Sequence, residues 1–369
     1  MSDEQRLELA VRLRHALHAH PELSGREFWT RQTLMDFLRA HTRLEVVDRD
    51  SWFYAFCKGR GAGKVAFRAD FDALPMEETL QIPHRSCCPG AAHKCGHDGH
   101  SAALALLGLI LDEEGAARDT YLIFQPAEEI GGGGEACAAF LREEGIGEVY
   151  AFHNMPGYPL GAVALRSGTM NCASKGMILR FTGVPTHAST PELGRNPAYA
   201  VAAVVSTIPE LTRPEKHRGL VLCTVVGIDL GERAFGISAY QGELLLTLRA
   251  QYQEELDALQ EALLVLAREQ AKEYGLTLER AEEDVFPETA NHPAAVDKVR
   301  RAAEGLGLTV IDMPEPMRGS EDFGWYLRQA KGAMFLLGDG EDCPPLHSDG
   351  FDFPDALLPT ACALFQALI

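Results

Sequence analysis

The order of secondary-structure elements changes twice along this chain, near residue 173 and again after Pro287, and no single-sheet fold accommodates both changes. Ahead of the first change, residues 3–20 and 26–40 carry helical periodicity. Ser2 with Gln5 and Ser24 with Glu27 stand at capping-box spacing. Trp52–Cys57 and Lys64–Arg68 read as strands joined by the glycine-rich turn Gly59–Gly63. An apolar helix over 98–113, a buried strand Tyr121–Phe124, a helix over 135–144 and a buried strand Glu148–Phe152 follow. That alternation specifies an α/β layer, a mixed sheet flanked by helices. Between the changes the order is strand Lys175–Thr182, helix 197–211, strands Leu220–Val226 and Gln241–Gln251, helix 254–274 and strand Leu276–Glu283. This β-α-β-β-α-β order is that of a ferredoxin-like α+β sandwich. After Pro287 the alternation resumes, with helices 294–305, 321–328 and 355–368 and strands 307–311 and 333–337. The reading is one α/β domain, residues 1–172 and 286–369, interrupted by a smaller α+β insertion, residues 173–285.

The 369 residues suffice for two such cores, and 46% hydrophobic content suits a globular chain. No apolar run approaches the roughly 18 residues of a membrane span. The first segment, MSDEQRLELAVRLRHALHAHPE, is charged throughout and lacks a signal-peptide core, so a cytoplasmic location is expected. A net charge of −19 without a basic stripe argues against nucleic acid as a partner and suits a protein that binds cations. Nine cysteines form no paired framework and read as free thiols. Cys87 and Cys88 are adjacent but lack a Cys-x-x-Cys spacing, which leaves them as loop thiols rather than a redox pair.

The densest chemical signal is Ala92–His100 (AHKCGHDGH), a thiol and three imidazoles just before an apolar helix. Thiolate and imidazole are the usual ligands of zinc-like metals, and Cys95 and His97 flank a glycine in one tight turn. Alone, the stretch also suits a His-rich loop. The second signal, Gln125-Pro126-Ala127-Glu128-Glu129, follows a strand, where α/β sheets place their sites. Neighbouring carboxylates on an extended loop point to opposite sides, so one can bind metal while the other acts as a general base. Gly131–Gly134 lack the Lys-Ser/Thr of a phosphate loop and read as a flexible rim. His153 follows a strand, and His347 lies in a loop before the last helix. Cys95, His97, Glu129, His153 and His347 make five candidate ligands, a number that suits two metals sharing a bridge. Asp70 and Asp72 end another strand, where they can orient ligating imidazoles or simply form a turn before Pro75.

These pieces resemble one family. Arg14–Glu27, RADFDALPMEE, HKCGHDGH, FQPAEE, AFHNMP, GVPTHASTP, Ser320–Phe323 and LHSDGFDF occur in the order of the M20-type metallo-amidohydrolases, the aminoacylase, hippurate hydrolase and auxin-conjugate hydrolase branch, from about residue 10 to 360. The resemblance implies a catalytic α/β domain with two divalent metals, zinc, manganese or cobalt, and an inserted lid domain that forms a homodimer. It makes Cys95, His97, Glu129, His153 and His347 the metal ligands, Glu128 the general base, and His187 a lid histidine that stabilises the tetrahedral intermediate in a neighbouring subunit's site. The implied reaction is hydrolysis of N-acyl amino acids, with a dipeptidase or a catalytically silent binding relative as alternatives. The segment Phe235–Gly242 lacks the family's Asn-x-Ile-Pro element. Arg249, seven residues beyond Gly242, is the candidate contact for a substrate carboxylate and equally reads as an exposed strand arginine.

Overall fold

The computed structural model describes all 369 residues and contains two compact units. The first comprises Met1–Met170, Thr289–Pro316 and Asp322–Ile369, and the second Asn171–Glu288 and Met317–Glu321. In chain order the first unit begins with α1 (Asp3–Ala19), α2 (Phe28–His41), β1 (Glu45–Arg49), β2 (Trp52–Cys57), β3 (Lys64–Asp70) and α3 (His97–Glu114). It continues with β4 (Asp119–Gln125), α4 (Gly134–Glu144), β5 (Glu148–Met155), β6 (Val163–Leu165) and β7 (Gly168–Asn171). The second unit supplies β8 (Ala173–Thr182), α5 (Ala198–Leu211), β9 (Val221–Leu230), β10 (Gln241–Ala250), α6 (Gln253–Glu273) and β11 (Thr277–Phe286). The first unit closes with β12 (Thr289–Asn291), α7 (Pro293–Gly305), β13 (Val310–Asp312), α8 (Gly324–Leu327), β14 (Lys331–Gly338) and α9 (Leu357–Ala367).

The first unit is an α/β fold on an eight-stranded mixed sheet of order β1-β2-β4-β3-β5-β14-β6-β13. Its centre, β4-β3-β5-β14, is parallel, and β2 and β6 flank it antiparallel. Alternation along the strands explains why both faces are covered. Phe67, Leu122, Phe124, Tyr150 and Phe335 point into one core with α1, α2, α3, α7 and α9. Their neighbours Ala66, Tyr121, Ile123, Val149 and Met334 point into the other, with α4 and α8. Helix α3 is buried on every side except its last turn, so its run of Ala and Leu lies wholly in the core. Each fully buried Leu there contributes roughly 1.5–3 kcal/mol.

The second unit has one antiparallel four-stranded sheet of order β11-β8-β10-β9, the ferredoxin-like arrangement. Leu256, Leu259, Leu263, Ala267 and Ala271 recur at helical spacing along α6, and with α5 they bury one face of the sheet. On the edge strand β9, Leu222, Val225, Val226 and Ile228 are exposed.

Local expectations fared unevenly. The Ser2–Gln5 capping box forms. The Ser24–Glu27 box does not, because Glu22 accepts the Thr30 amide instead and Ser24 donates to Asp72. The helix read over 321–328 contracts to α8, a single turn, and the strand read over 307–311 shifts to β13. Of Gly131–Gly134, read as a flexible rim, Gly133 and Gly134 are buried. Gly133 packs so tightly that a Cβ would lie 1.9 Å from the Pro126 carbonyl oxygen, and the Gly134 amide donates to Asp322.

Candidate metal centre

Asp70, Gln125, Met155 and Gly338 end β3, β4, β5 and β14, the four parallel strands, and His153 lies two residues before the end of β5. Loops leaving such ends build sites in α/β sheets. Helix α3 starts at the same edge with His97 as its first residue. The chain reaches it through Gly96, whose φ of +97° belongs to the left-handed region and whose Cβ would lie 2.3 Å from Asn154 Oδ1. Only glycine fits there. His347 arrives from the loop after β14, and its amide donates to the Lys94 carbonyl at 2.8 Å.

Cys95 Sγ stands 3.5 Å from His153 Nε2 and 3.3 Å from His347 Nε2. Glu129 Oε1 lies 3.5 Å from His347 Nε2 and 3.8 Å from His97 Nε2, which is itself 4.0 Å from Glu128 Oε2. Three trios of possible ligand atoms therefore overlap: Cys95 with His97 and His153, Cys95 with Glu129 and His347, and His97 with Glu128 and Glu129. Sharing of Cys95, His97 and Glu129 between trios is the pattern of two adjacent cation positions.

The imidazoles are oriented for this. His97 Nδ1 faces two acceptors, the carbonyl and carboxylate oxygens of Asp72, each at 3.1 Å, so it carries a proton and Nε2 is the nitrogen turned to the centre. His153 Nδ1 donates to the Asn154 carbonyl at 2.7 Å and turns its Nε2 lone pair toward Cys95. Two buried polar atoms have no protein partner here, His97 Nε2 and Glu129 Oε1, and they face each other. Such a pair without hydrogen bonds is costly to bury unless a proton or a metal ion lies between them. The donor set of one thiolate, three imidazoles and a carboxylate fits zinc-like divalent ions.

The electrostatics agree. Burial and then Glu129, Glu128 and Asp70 push the Cys95 thiol well above its usual range. Burial opposes protonation of His97, but Asp70 and Asp72 outweigh it and carry the imidazole up to about 10. Protons thus collect where divalent cations would otherwise balance the carboxylates. Burial and His100 hold His153 well down, as a neutral ligand requires.

Asp72 orients His97, as the sequence suggested. Asp70 instead binds His100 Nδ1 at 2.6 Å, and His100 Nε2 meets Asn154 Oδ1 at 2.7 Å. The supporting roles of His100 and Asn154, and of the buried Arg68, Asp322 and Asp339, escaped sequence reading. Its signal is buried charge at strand ends, visible only once burial is known.

His187 and Arg249 belong to the second unit. His187 is exposed, and its Nδ1 accepts the Ser189 amide at 3.1 Å, so the proton sits on Nε2. Its loop pairs with the divergent segment: His187 bridges Ile237 and the Ala188 amide donates to Gly236. Arg249 lies on β10, and its Nη1 donates to the Arg318 carbonyl and to Ser320 Oγ. No helix of the chain is long and apolar enough to cross a membrane.

Known proteins are similar to this chain over nearly its whole length. An N-acetyldiaminopimelate deacetylase of Exiguobacterium sibiricum is 28% identical over 361 residues, 96% of each chain. A hippurate hydrolase of Campylobacter jejuni is 27% identical over 97% of this chain and 94% of its own. The crystal structure of Bacillus subtilis YXEP, described as a dinuclear metal binding peptidase from the M20 family, superposes with a TM-score of 0.81 at 25% identity, covering 99% of this chain and 98% of that one. The sequence profile of peptidase family M20/M25/M40 matches residues 66–369, and the chain belongs to that family of metal-dependent amidohydrolases and peptidases.

Proposed function

We propose that this protein hydrolyses the amide bond of N-acyl amino acids, releasing a carboxylic acid and a free amino acid, with two divalent metals held by Cys95, His97, Glu129, His153 and His347. The observation that carries the reading is the convergence of three overlapping ligand trios around Cys95, His97 and Glu129 with the Glu128 carboxylate at their edge. Zinc, manganese and cobalt are the candidate ions. Bound there, they supply Lewis-acid polarisation of the amide carbonyl and a lowered pKa for the attacking water.

Glu128 is the general base. It is buried, and its Oε1 accepts the Asp322 amide at 3.4 Å, which leaves Oε2 on the His97 side. It takes a proton from water as the hydroxide adds to the carbonyl carbon. It returns that proton to the amide nitrogen as the C–N bond breaks. His187 carries its proton on Nε2, the form that donates to a developing oxyanion. Arg249 is the proposed contact for the substrate carboxylate. Its Nη1 is engaged locally, leaving the rest of the guanidinium fork for a ligand. A homodimer through the second unit is supported by the exposed apolar residues of edge strand β9.

A peptidase reading has its own support, because a thermostable carboxypeptidase of Saccharolobus solfataricus is 30% identical over 97% of this chain and 94% of its own. The test is amine release from N-acetyl, N-benzoyl and longer N-acyl amino acids and from dipeptides. The protein is stripped and refilled with each metal, and Glu128→Gln serves as the blank. Metal-dependent release lost in the blank supports the hydrolase, and the preferred substrate decides between the two readings. No release from a protein that still binds two metals points to a silent binding relative.

A further inference from the structure

Glu27 is a buried carboxylate, 6% exposed, with no part in the chemistry above. It precedes helix α2 without capping it, since Glu22 accepts the Thr30 amide. Glu27 Oε1 instead crosses to the loop after β4 and accepts the Ala127 amide at 2.7 Å. Ala127 stands at φ +55° and ψ 37°, the left-handed region that costs a residue with a Cβ roughly 1–2 kcal/mol. It is the hinge between Pro126 and the Glu128–Glu129 pair.

The next amide but one is held in the same way. The Glu129 amide donates to Asp72 Oδ2 at 3.0 Å, the oxygen that also accepts Ser24 Oγ at 2.7 Å. Downstream, the Gly132 amide donates to the Ala127 carbonyl at 2.9 Å. The stretch Glu22–Glu27 is tied to the β3 loop as well, because the Ala73 amide donates to the Glu22 carbonyl. Two carboxylates from outside the loop thus fix the two amides that bracket Glu128. Burial and the neighbouring Asp72 push Glu27 up to about 7, against the pull of the amides of Glu27, Ala127 and Gly25. A carboxyl kept in so unfavourable a place acts through what it holds.

We infer that Glu27 is a positioning residue: through the Ala127 amide it locks the left-handed turn that aims Glu128 and Glu129 to their separate tasks, an inference that rests on the hydrolase reading above. A misplaced base costs rate rather than affinity.

The test uses Glu27→Leu, which removes the acceptor, and Glu27→Gln, which keeps an oxygen facing Ala127. Metal stoichiometry, kcat, KM and hydrogen exchange at the Ala127 amide are read in the metal-loaded full-length protein. In Glu27→Leu, kcat falls about 10- to 100-fold with KM within about twofold and two metals still bound. Ala127 exchange quickens by about tenfold or more in the same variant. Glu27→Gln restores both to within about threefold of the parent. The inference is overturned if Glu27→Leu keeps its kcat, if its Ala127 amide stays as protected as in the parent, or if Glu27→Gln is as slow as Glu27→Leu. Should Glu27→Leu not fold, Glu27→Gln decides alone: a protected Ala127 amide with near-parental kcat supports the inference, and an unprotected one overturns it. Failure of the hydrolase reading looks different, since it leaves Glu128→Gln no slower than the parent while the exchange measurement still reports on Glu27.

Discussion

Arg68 and Asp322, 254 residues apart in sequence, form a fully buried ion pair with Nη2 and Oδ1 2.7 Å apart. The second Asp322 oxygen accepts the Gly134 amide at 2.9 Å and Gln125 Nε2 at 2.7 Å. One carboxylate therefore joins β3, the end of β4 and the start of α4, and its own amide faces Glu128. Asp322→Ala takes the acceptor from Arg68 Nη2 and from the Gly134 amide, while Arg68 keeps Asp70 and Gln125 Oε1 as partners. The expected loss is about 1–3 kcal/mol, read from urea unfolding, with Glu128-dependent turnover falling in parallel. A loss below about 1 kcal/mol would mean the pair carries no such weight.

Gly133 and Gly147 make a matched pair for testing the turn. A Cβ at Gly133 collides with the Pro126 carbonyl, whereas nothing lies within 4 Å of a Cβ at Gly147 and its φ is not left-handed. Gly133→Ala is expected to lower kcat by about 100-fold because the base-bearing loop must move by about an ångström. Gly147→Ala should leave activity and stability nearly unchanged. Equal effects of the two substitutions in a steady-state assay would contradict this account.

His18 gives the fold a definite response to pH. Its ring nitrogens face Asp98 at 2.9 Å and Glu78 at 3.0 Å, with Asp352 at 3.7 Å and Arg14, His84, His93 and Lys94 packed around the same carboxylates. Burial disfavours the charged ring, but Asp98 and Glu78 raise it to about 9. Because the folded value lies above the unfolded one, the stabilisation is complete below about pH 6.5 and is lost as pH rises through about 9. On the order of 1–3 kcal/mol should separate the ends of that window. Urea unfolding at saturating metal should show the parent losing stability from pH 6.5 to 9.5, with a flatter profile for His18→Gln. Parallel profiles would remove His18 from the explanation.

In the proposed centre, Cys95 is expected to set which ion is preferred. A thiolate favours softer ions, and a carboxylate in its place favours harder ones. Refilled from an equimolar mixture of zinc and manganese, Cys95→Asp should hold a smaller zinc fraction than the parent, measured by elemental analysis. Removing the metals from the parent should also lower its stability by about 2.7 kcal/mol for each ion, about 5 kcal/mol for two, relative to protein at a free metal concentration 100-fold above each Kd. An unchanged zinc fraction would take the selectivity away from Cys95.

Much of this was legible in the sequence because it is local. The change of element order near residue 173 marks the ferredoxin-like sheet, and Cys95 and His97 stand two residues apart at the start of one helix. Glu128 and Glu129 follow a strand, so their place at a sheet edge could be read directly. What was missed is non-local. Nothing in the spacing of Ser24 and Glu27 distinguishes a capping box from two side chains reaching to Asp72 and Ala127, since both satisfy the same hydrogen-bonding groups. The short strands β1, β6, β7 and β12 have too few residues to set a period, and only their neighbours hold them extended. His100 had no role assigned in the sequence, and its hydrogen bonds to Asp70 and Asn154 make it a buried support beside the site.

Strand β14 enters the sheet between β5 and β6, yet its residues 331–338 are synthesised well after both. A growing chain therefore carries a gap at the middle of its sheet until β14 has been made. The second unit, whose strands all pair with one another within Ala173–Phe286, has no such wait. The inserted unit can fold while its host is still incomplete, and His347, beyond β14, is the last of the five metal-ligand candidates to emerge. Under the proposed ligand assignment, metal capture by the whole set waits until residue 347 has been made, and a chain cut short before it keeps four of the five candidates and cannot complete the centre.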